Sequence, residues 1–83
     1  MTQSHFSDVD NPDHYKRWRI EPITFLMRNN VEYWRGNVIK YVMRAGYKTE
    51  PGLTQTESEI KDLKKAIRYL NMQINLLNGE TEL

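Results

Sequence analysis

The C-terminal part of the chain carries its most regular hydrophobic pattern. Six large apolar residues follow one another at steps of three, four, three, four and three: Ile60, Leu63, Ile67, Leu70, Ile74 and Leu77. This is the heptad spacing of a helix that presents a single apolar seam. The preceding segment holds two capping-box patterns, Thr54-x-x-Glu57 and Thr56-x-x-Glu59, and Asn78-Gly79 is a stop signal. The pattern predicts a third helix of roughly 23 residues, about 35 Å long.

Two shorter helices are predicted before it. Pro22 suits the first position of a helix that runs to about Asn30, and its inward-facing residues are expected to be Ile23, Leu26 and Met27. The second helix is expected to run from about Val31 to Ala45, and Gly46 suits its C-terminal end. No segment shows the alternation of a strand. The predicted class is therefore all-α, a small bundle of three helices with a long C-terminal helix.

Length and composition limit the domain organisation. A chain of 83 residues forms one domain whose own core is only marginally sufficient. Residues 1–10 are polar and are expected to form a disordered leader, residues 11–79 a single helical domain, and residues 80–83 a disordered tail. The third helix is longer than two short helices can cover. We therefore expect part of its seam to face a second copy in a homo-oligomer; the alternative is an intramolecular bundle with a protruding end.

Composition also excludes several classes of function. The chain has no cysteine, so it has no disulfide, thiolate metal site or catalytic thiol. It has no long apolar run and no signal-peptide pattern, which predicts a cytoplasmic protein without a membrane partner. Residues 1–48 carry eight basic and five acidic residues, and residues 49–83 carry four and six. Neither balance is basic enough to predict nucleic-acid binding.

The second helix carries an unusual polar stripe. Five residues share this stripe at helical spacing: Tyr33, Asn37, Lys40, Arg44 and Tyr47. Apolar residues flank it on both sides, so its amide, ammonium and guanidinium groups are expected to lie in a cleft. Such donors match phosphate. The alternative is that Lys40 and Arg44 extend past their apolar neighbours or pair with acids on another helix.

The third helix offers a second line of residues beside the seam: Glu59, Asp62, Ala66, Tyr69 and Gln73. Ala66 is small enough to permit close approach of another helix. Glu59 and Asp62 have i, i+3 spacing, so they either neutralise Lys40 and Arg44 or hold Mg²⁺ beside a bound phosphate. The remaining charged residues of this helix are assigned to its solvated side: Glu57, Lys61, Lys64, Lys65 and Arg68.

Several further residues are candidates for a nucleotide site. Lys48 adds positive charge, and Tyr41 and Trp18 add aromatic surface next to phosphate-binding residues. Lys40, Arg44 and His14 are the candidate catalytic residues, with His14 as the acid–base group. The alternatives are that His14 caps a turn beside Tyr15 and that Trp18 anchors a solvated loop.

Four sequence segments resemble the small bacteriophage proteins of the DUF3310 or SaV-like family. The segments are Asn11-Pro12-x-His14-Tyr15, Ile20-Glu21-x-Ile23, Gly36-Asn37-Val38-Ile39-Lys40-Tyr41-x-x-Arg44-Ala45-Gly46-x-Lys48 and Asp62-Leu63-x-x-Ala66-x-x-Tyr69-Leu70. The resemblance spans roughly residues 9–72. It implies a nucleotide-related role during infection, in the host cell cytoplasm, because the family includes a kinase of T7-like phages that phosphorylates deoxynucleoside monophosphates.

Three functional hypotheses follow. The first is a nucleotide-binding protein, and as an enzyme a nucleotide kinase that lacks the G-x-x-x-x-G-K-[ST] loop. The second is a non-enzymatic protein that inhibits a host protein or sequesters a nucleotide. The third is an all-α nucleoside triphosphate pyrophosphohydrolase, for which the second helix offers Asn37 and Lys40 where metal-binding acids are needed.

Overall fold

A computed structural model describes residues 17–80. The leader predicted at residues 1–10, His14 and the last three residues of the predicted tail lie outside this range. Within it the chain forms three helices and no strand: α1 (Pro22–Arg28), α2 (Tyr33–Arg44) and α3 (Gln55–Leu77). The predicted all-α class and the order of its helices are confirmed. The predicted boundaries of α1 and α2 were one or two residues too long at their ends.

Local signals account for the boundaries of the helices. Pro22 begins α1, and Asn30 lies between α1 and α2 with a positive φ of 51°, a conformation that asparagine tolerates. Thr54 caps α3: its hydroxyl accepts from the Glu57 backbone N–H at 3.1 Å, and the Glu57 carboxylate accepts from the Thr54 backbone N–H at 2.9 Å. The first predicted capping box and the predicted length of 23 residues are therefore confirmed.

The two longer helices, α2 and α3, pack against each other as an antiparallel hairpin. Ala66 lies at this contact and is only 4% exposed, as its small size predicted. The shorter helix α1 packs against α2, where Gly36 faces the Leu26 side chain. A β-carbon at Gly36 would lie 3.7 Å from Leu26 Cδ1, so this position has room for little more than a methyl group.

The loop from α2 to α3 is tied to the first turns of α3. Gly46 has a φ of +87°, and its carbonyl accepts a hydrogen bond from the Gln55 side chain at 2.8 Å. The backbone N–H of Glu50 donates to Ser58 Oγ at 2.8 Å, and the Glu50 carboxylate pairs with Lys61. These bonds fix the position of the loop that carries Lys48.

The described residues bury very little apolar surface. Ala66 is the single buried hydrophobic residue among them, whereas four polar or charged residues are buried: Asn37, Arg44, Ser58 and Asp62. The prediction that Ile23 and Met27 face inward is wrong, since both are more than half exposed. The α1 helix has only seven residues and contacts α2 through Leu26; Pro22 is buried, but Ile23, Phe25 and Met27 stay exposed.

The heptad residues of α3, called here the α3 seam, are also exposed. The exposed fractions of these six residues (Ile60, Leu63, Ile67, Leu70, Ile74 and Leu77) lie between 39% and 75%. The helix packs on α2 through a different face, which contains Ser58, Asp62 and Ala66. Within residues 17–80, no helix is both long enough and apolar enough to cross a membrane.

Candidate functional site

A buried ion pair joins the two main helices. Arg44, in the last turn of α2, donates to Asp62 of α3 through two nitrogens: Nη2 to Oδ1 at 2.7 Å and Nε to Oδ2 at 3.2 Å. The Arg44 and Asp62 side chains are only 10% and 7% exposed. This arrangement is one of the two roles predicted for Asp62, the neutralisation of a cation on the second helix. It fixes the register of α2 on α3, because a two-bond guanidinium–carboxylate contact tolerates little sliding.

Tyr41 lies at the centre of a group of cations. Lys40 Nζ, Arg44 Cζ and Lys65 Nζ lie 4.7, 4.8 and 5.1 Å from the centroid of its ring. The Tyr41 ring is also stacked with the Tyr69 ring, with a centroid distance of 6.1 Å and an interplanar angle of 14°. Cations at this range are attracted by the negative face of an aromatic ring. Tyr41 therefore concentrates positive charge at one place between α2 and α3.

Two adjoining cavities open beside Tyr41, and together they are called here the Tyr41 cleft. The smaller, of about 140 Å³, is lined by Tyr41, Arg44, Lys48, Glu50, Ser58, Asp62 and Lys65. The larger, of about 360 Å³, is lined by Tyr33, Tyr41, Lys65, Arg68, Tyr69 and Met72. Tyr41 and Lys65 line both cavities. The smaller cavity is polar and the larger one is mainly aromatic with two cations at its wall, so the cleft has a charged end and an aromatic end.

The carboxylates of the cleft are both engaged in ion pairs. Asp62 pairs with Arg44, and Glu50 pairs with Lys61 at 2.7 Å. The Lys61 hydrogen bond is the main reason that the pKa of the Glu50 carboxyl lies below its usual value. Within residues 17–80, no carboxylate lies within ion-pair distance of the other cations at the cleft: Lys40, Lys48, Lys65 and Arg68. The cleft therefore holds an excess of positive charge suited to an anion.

The aromatic end of the cleft is organised by its tyrosines. Tyr33 and Tyr69 meet edge to face, with a centroid distance of 6.0 Å. The neighbouring Tyr33 phenol is the main cause that raises the pKa of the Tyr69 phenol above its ordinary value of 10.0. The two helices thus present neighbouring phenol rings beside the cavity, whose open side is available to a flat apolar group.

The predicted binding residues separate into two groups. Tyr41, Arg44 and Lys48 line the cleft, and Lys40 lies against the Tyr41 ring. Asn37 is buried and donates its side-chain N–H to the Tyr33 carbonyl at 2.8 Å, one turn back along α2. Trp18 packs edge to face on Tyr47, with a centroid distance of 5.6 Å, and lines neither cavity of the cleft.

The two predicted metal ligands, Glu59 and Asp62, contact different residues. Both oxygens of Asp62 accept hydrogen bonds from Arg44, whereas Glu59 is exposed and lies against Gly46. Among residues 17–80 there is no group of three or more histidine, aspartate or glutamate side chains that could hold a metal ion. The Mg²⁺ site at Glu59 and Asp62 stays a prediction, as does the catalytic role of His14.

Sequence reasoning missed several residues of the cleft, and two of them are cations. Lys65 and Arg68 were assigned to the solvated side of the third helix, but both line the larger cavity. Lys65 follows Asp62 by three positions and precedes Tyr69 by four, so the helical period places all three on neighbouring positions of α3. This spacing is the feature of the sequence that could have placed Lys65 at the cleft.

A family model matches residues 9–71, most of the chain, and describes a protein of unknown function, DUF3310. The chain belongs to the DUF3310 family. The matched range contains α1, α2 and the part of α3 that packs on α2. The Tyr41 cleft of this DUF3310 protein therefore lies within the family's shared segment, apart from Met72 at its edge.

Comparison with curated proteins and comparison with solved structures gave no match to this DUF3310 chain.

Proposed function

We propose that this DUF3310 protein binds a nucleotide in the Tyr41 cleft. The observation that carries the proposal is the convergence of Lys40, Arg44 and Lys65 on the Tyr41 ring beside a tyrosine-lined cavity. Phosphate oxygens need several cationic donors in one place, and a base needs an aromatic surface. The cleft offers the two chemistries side by side.

The charged residues of the cleft have distinct proposed roles. Arg44 is held by Asp62, so it positions the end of α2 and contributes background positive charge. Lys40, Lys48 and Lys65 are the direct phosphate contacts, because lysine is a flexible point donor that turns toward an anion. Asn37 donates its amide N–H within α2, and it acts by orienting the helix rather than the ligand.

The aromatic end is proposed to receive the base. Its volume of about 360 Å³ is at the lower end of the range found for small-molecule sites. Tyr69 and Tyr33 supply the surface for stacking, and Arg68 adds a cation to the wall of the same cavity. A nucleotide with base and phosphates should therefore bind more tightly than inorganic phosphate.

The reaction proposed for this site is phosphoryl transfer to a deoxynucleoside monophosphate, in an infected bacterial cell as the family resemblance implies. The terminal phosphoryl group of a triphosphate would pass to the phosphate oxygen of the monophosphate, which yields two diphosphates. Such a step depends on charge neutralisation and in-line positioning more than on covalent help. The clustered lysines supply the charge, and Mg²⁺ carried by the triphosphate is the expected metal.

Binding is tested by calorimetry of the purified protein against deoxynucleoside mono- and triphosphates and inorganic phosphate, with and without Mg²⁺. We expect Lys65→Ala to weaken nucleotide binding by about tenfold to a hundredfold, since a charge-assisted bond contributes about 1.5–3 kcal/mol. Lys64→Ala is the matched control, because it removes the same charge from an exposed position outside the cleft. Equal affinities for the two variants would contradict the proposed site.

Turnover separates the enzymatic role from sequestration. A kinase converts monophosphate to diphosphate when a triphosphate is present, whereas a sequestering protein binds the nucleotide and releases it unchanged. The pyrophosphohydrolase hypothesis predicts hydrolysis of a triphosphate alone to a monophosphate and pyrophosphate. Product analysis by anion-exchange chromatography distinguishes the three results.

We also propose that the protein self-associates through the α3 seam, as its heptad spacing predicts. The specific observation in favour is that the seam residues are exposed while the described part of the chain buries only Ala66 among its hydrophobic residues. Removing apolar surface of this extent from water stabilises a complex in which a partner covers the seam. Binding of a host protein to the same surface is the competing proposal, and it predicts a monomer in solution.

A further inference from the structure

The α3 seam has a strict order of residue types that goes beyond its spacing. With Ile60 assigned to heptad position a, the isoleucines Ile60, Ile67 and Ile74 all occupy position a, and the leucines Leu63, Leu70 and Leu77 all occupy position d. β-branched residues at a with leucine at d pack well in a parallel pair of helices and poorly in trimers or tetramers. A parallel two-stranded coiled coil is therefore an arrangement that this order of residues favours.

The structure leaves this seam available for such a pair. The face of α3 that packs on α2 contains Ser58, Asp62 and Ala66, which fall at heptad positions f, c and g. These positions lie mainly on the side of the helix away from a and d. A second α3 can therefore approach the seam while α2 stays in place.

Charge complementarity selects the same direction. In a parallel pair a g residue meets the e residue five positions later on the other helix. Glu59 is at g and Lys64 is at e, so each copy would place Glu59 beside Lys64 of the second copy. The other pairs of this type, Ala66 with Asn71 and Gln73 with Asn78, carry no charge. No like-charged pair opposes the parallel arrangement.

We infer that two copies of this chain form a parallel two-stranded coiled coil through α3. The inference rests on the proposed self-association and adds its stoichiometry and direction. In this dimer the two α2 helices lie on the outer sides, so both Tyr41 cleft regions stay open and point away from each other. Nucleotide binding and dimer formation are consequently separate properties, and each can fail without the other.

A single cysteine near the end of the seam tests the direction, because the natural chain has no cysteine. Leu77→Cys places a thiol at a d position at the end of α3, where the native side chain is largely exposed. In a parallel dimer the two thiols are adjacent, and mild oxidation should convert nearly all of the protein to a disulfide-linked dimer. In an antiparallel dimer the Leu77 position faces the Ile60 position of the second copy.

The control is an equimolar mixture of Leu77→Cys and Ile60→Cys, each carrying a different mass tag. We expect homodimers of each variant and few mixed dimers. A predominance of mixed dimers would overturn the parallel direction. Sedimentation equilibrium of the unmodified protein should give twice the chain mass of 10.0 kDa; a monomer or a larger assembly would overturn the two-stranded pair.

Calorimetry with nucleotide on the same preparations separates this inference from the proposed function. A dimer that binds no nucleotide leaves the coiled coil intact and removes the proposed ligand. A monomer that binds nucleotide contradicts the coiled coil and supports the proposed ligand.

Discussion

The two long faces of α3 differ in chemistry and in what covers them. The face against α2 is polar, and it holds the buried Arg44–Asp62 pair beside Ala66. The opposite face is the α3 seam, made only of isoleucine and leucine, and it is exposed. In most small domains the apolar face would pack inside the chain and the charged face would meet water.

The difference indicates a division of roles between the two faces. The polar face sets one register between α2 and α3 through directional bonds, and it positions the cations around Tyr41. The apolar face has little geometric direction but a large capacity for stabilisation on burial. We therefore attribute the geometry of the cleft to the first face, whereas the second face would contribute stability in the proposed dimer.

The largest expected effect is on the free energy of unfolding, and it follows from removing the ion pair of the polar face. Asp62→Leu removes the carboxylate that pairs with buried Arg44, and loss of one partner of a buried ion pair costs about 3–5 kcal/mol. We expect the free energy of unfolding to fall by about this amount, measured by urea denaturation at constant protein concentration. The double variant Arg44→Met/Asp62→Leu should recover part of the loss, because the buried guanidinium is then removed together with the carboxylate that pairs with it. Equal loss in the single and double variants would show that the pair is not the cause.

The next largest effect is on the proposed self-association, and it follows from placing a charge on the apolar face. Leu70→Asp places a charge in the middle of the α3 seam of both copies, and each copy also loses leucine burial of about 1.5–3 kcal/mol. Association should weaken by at least about a hundredfold, measured by sedimentation over a range of protein concentrations. Asn75→Asp is the control, since it adds the same charge at a position outside the seam. An unchanged mass for Leu70→Asp would contradict the proposed self-association through the α3 seam.

The smallest expected effect is a change in the titration of Tyr69, at the aromatic end of the cleft. The Tyr33 phenol beside it raises the pKa of Tyr69, so the folded protein favours the neutral Tyr69 phenol. This contribution to stability is complete below the ordinary tyrosine pKa of 10.0 and is lost as pH rises above it. Tyr33→Phe should return the Tyr69 titration toward its ordinary pKa. NMR titration of the Tyr69 ring resonances measures the change; an unchanged titration would mean that Tyr33 is not the cause.

Much of the fold could be predicted from the sequence. The heptad spacing and the Thr54 capping box gave α3 with its length and start, because both signals act within a few residues of the chain. The position of Ala66 at a helix contact was also predictable from its size. Ile23 and Met27 were placed wrongly, since spacing identifies an apolar face but not whether a neighbour is long enough to cover it.

The candidate site was only partly predictable. The stripe on α2 identified Lys40 and Arg44, and Tyr41 was a separate aromatic candidate beside it; these three residues do lie together. Lys65 was missed because its neighbours in space come from the other helix. The sequence left two roles open for Asp62, and the structure pairs it with Arg44 through both oxygens.

The sequence by itself determined the helices and the order of isoleucine and leucine along α3, because caps, turns and periodicity are properties of neighbouring residues. Only the tertiary structure decided that α2 packs on the polar face of α3, since that choice depends on the fit of Arg44 to Asp62, which are eighteen positions apart. The same packing gathers the cations around Tyr41 and leaves the apolar seam open.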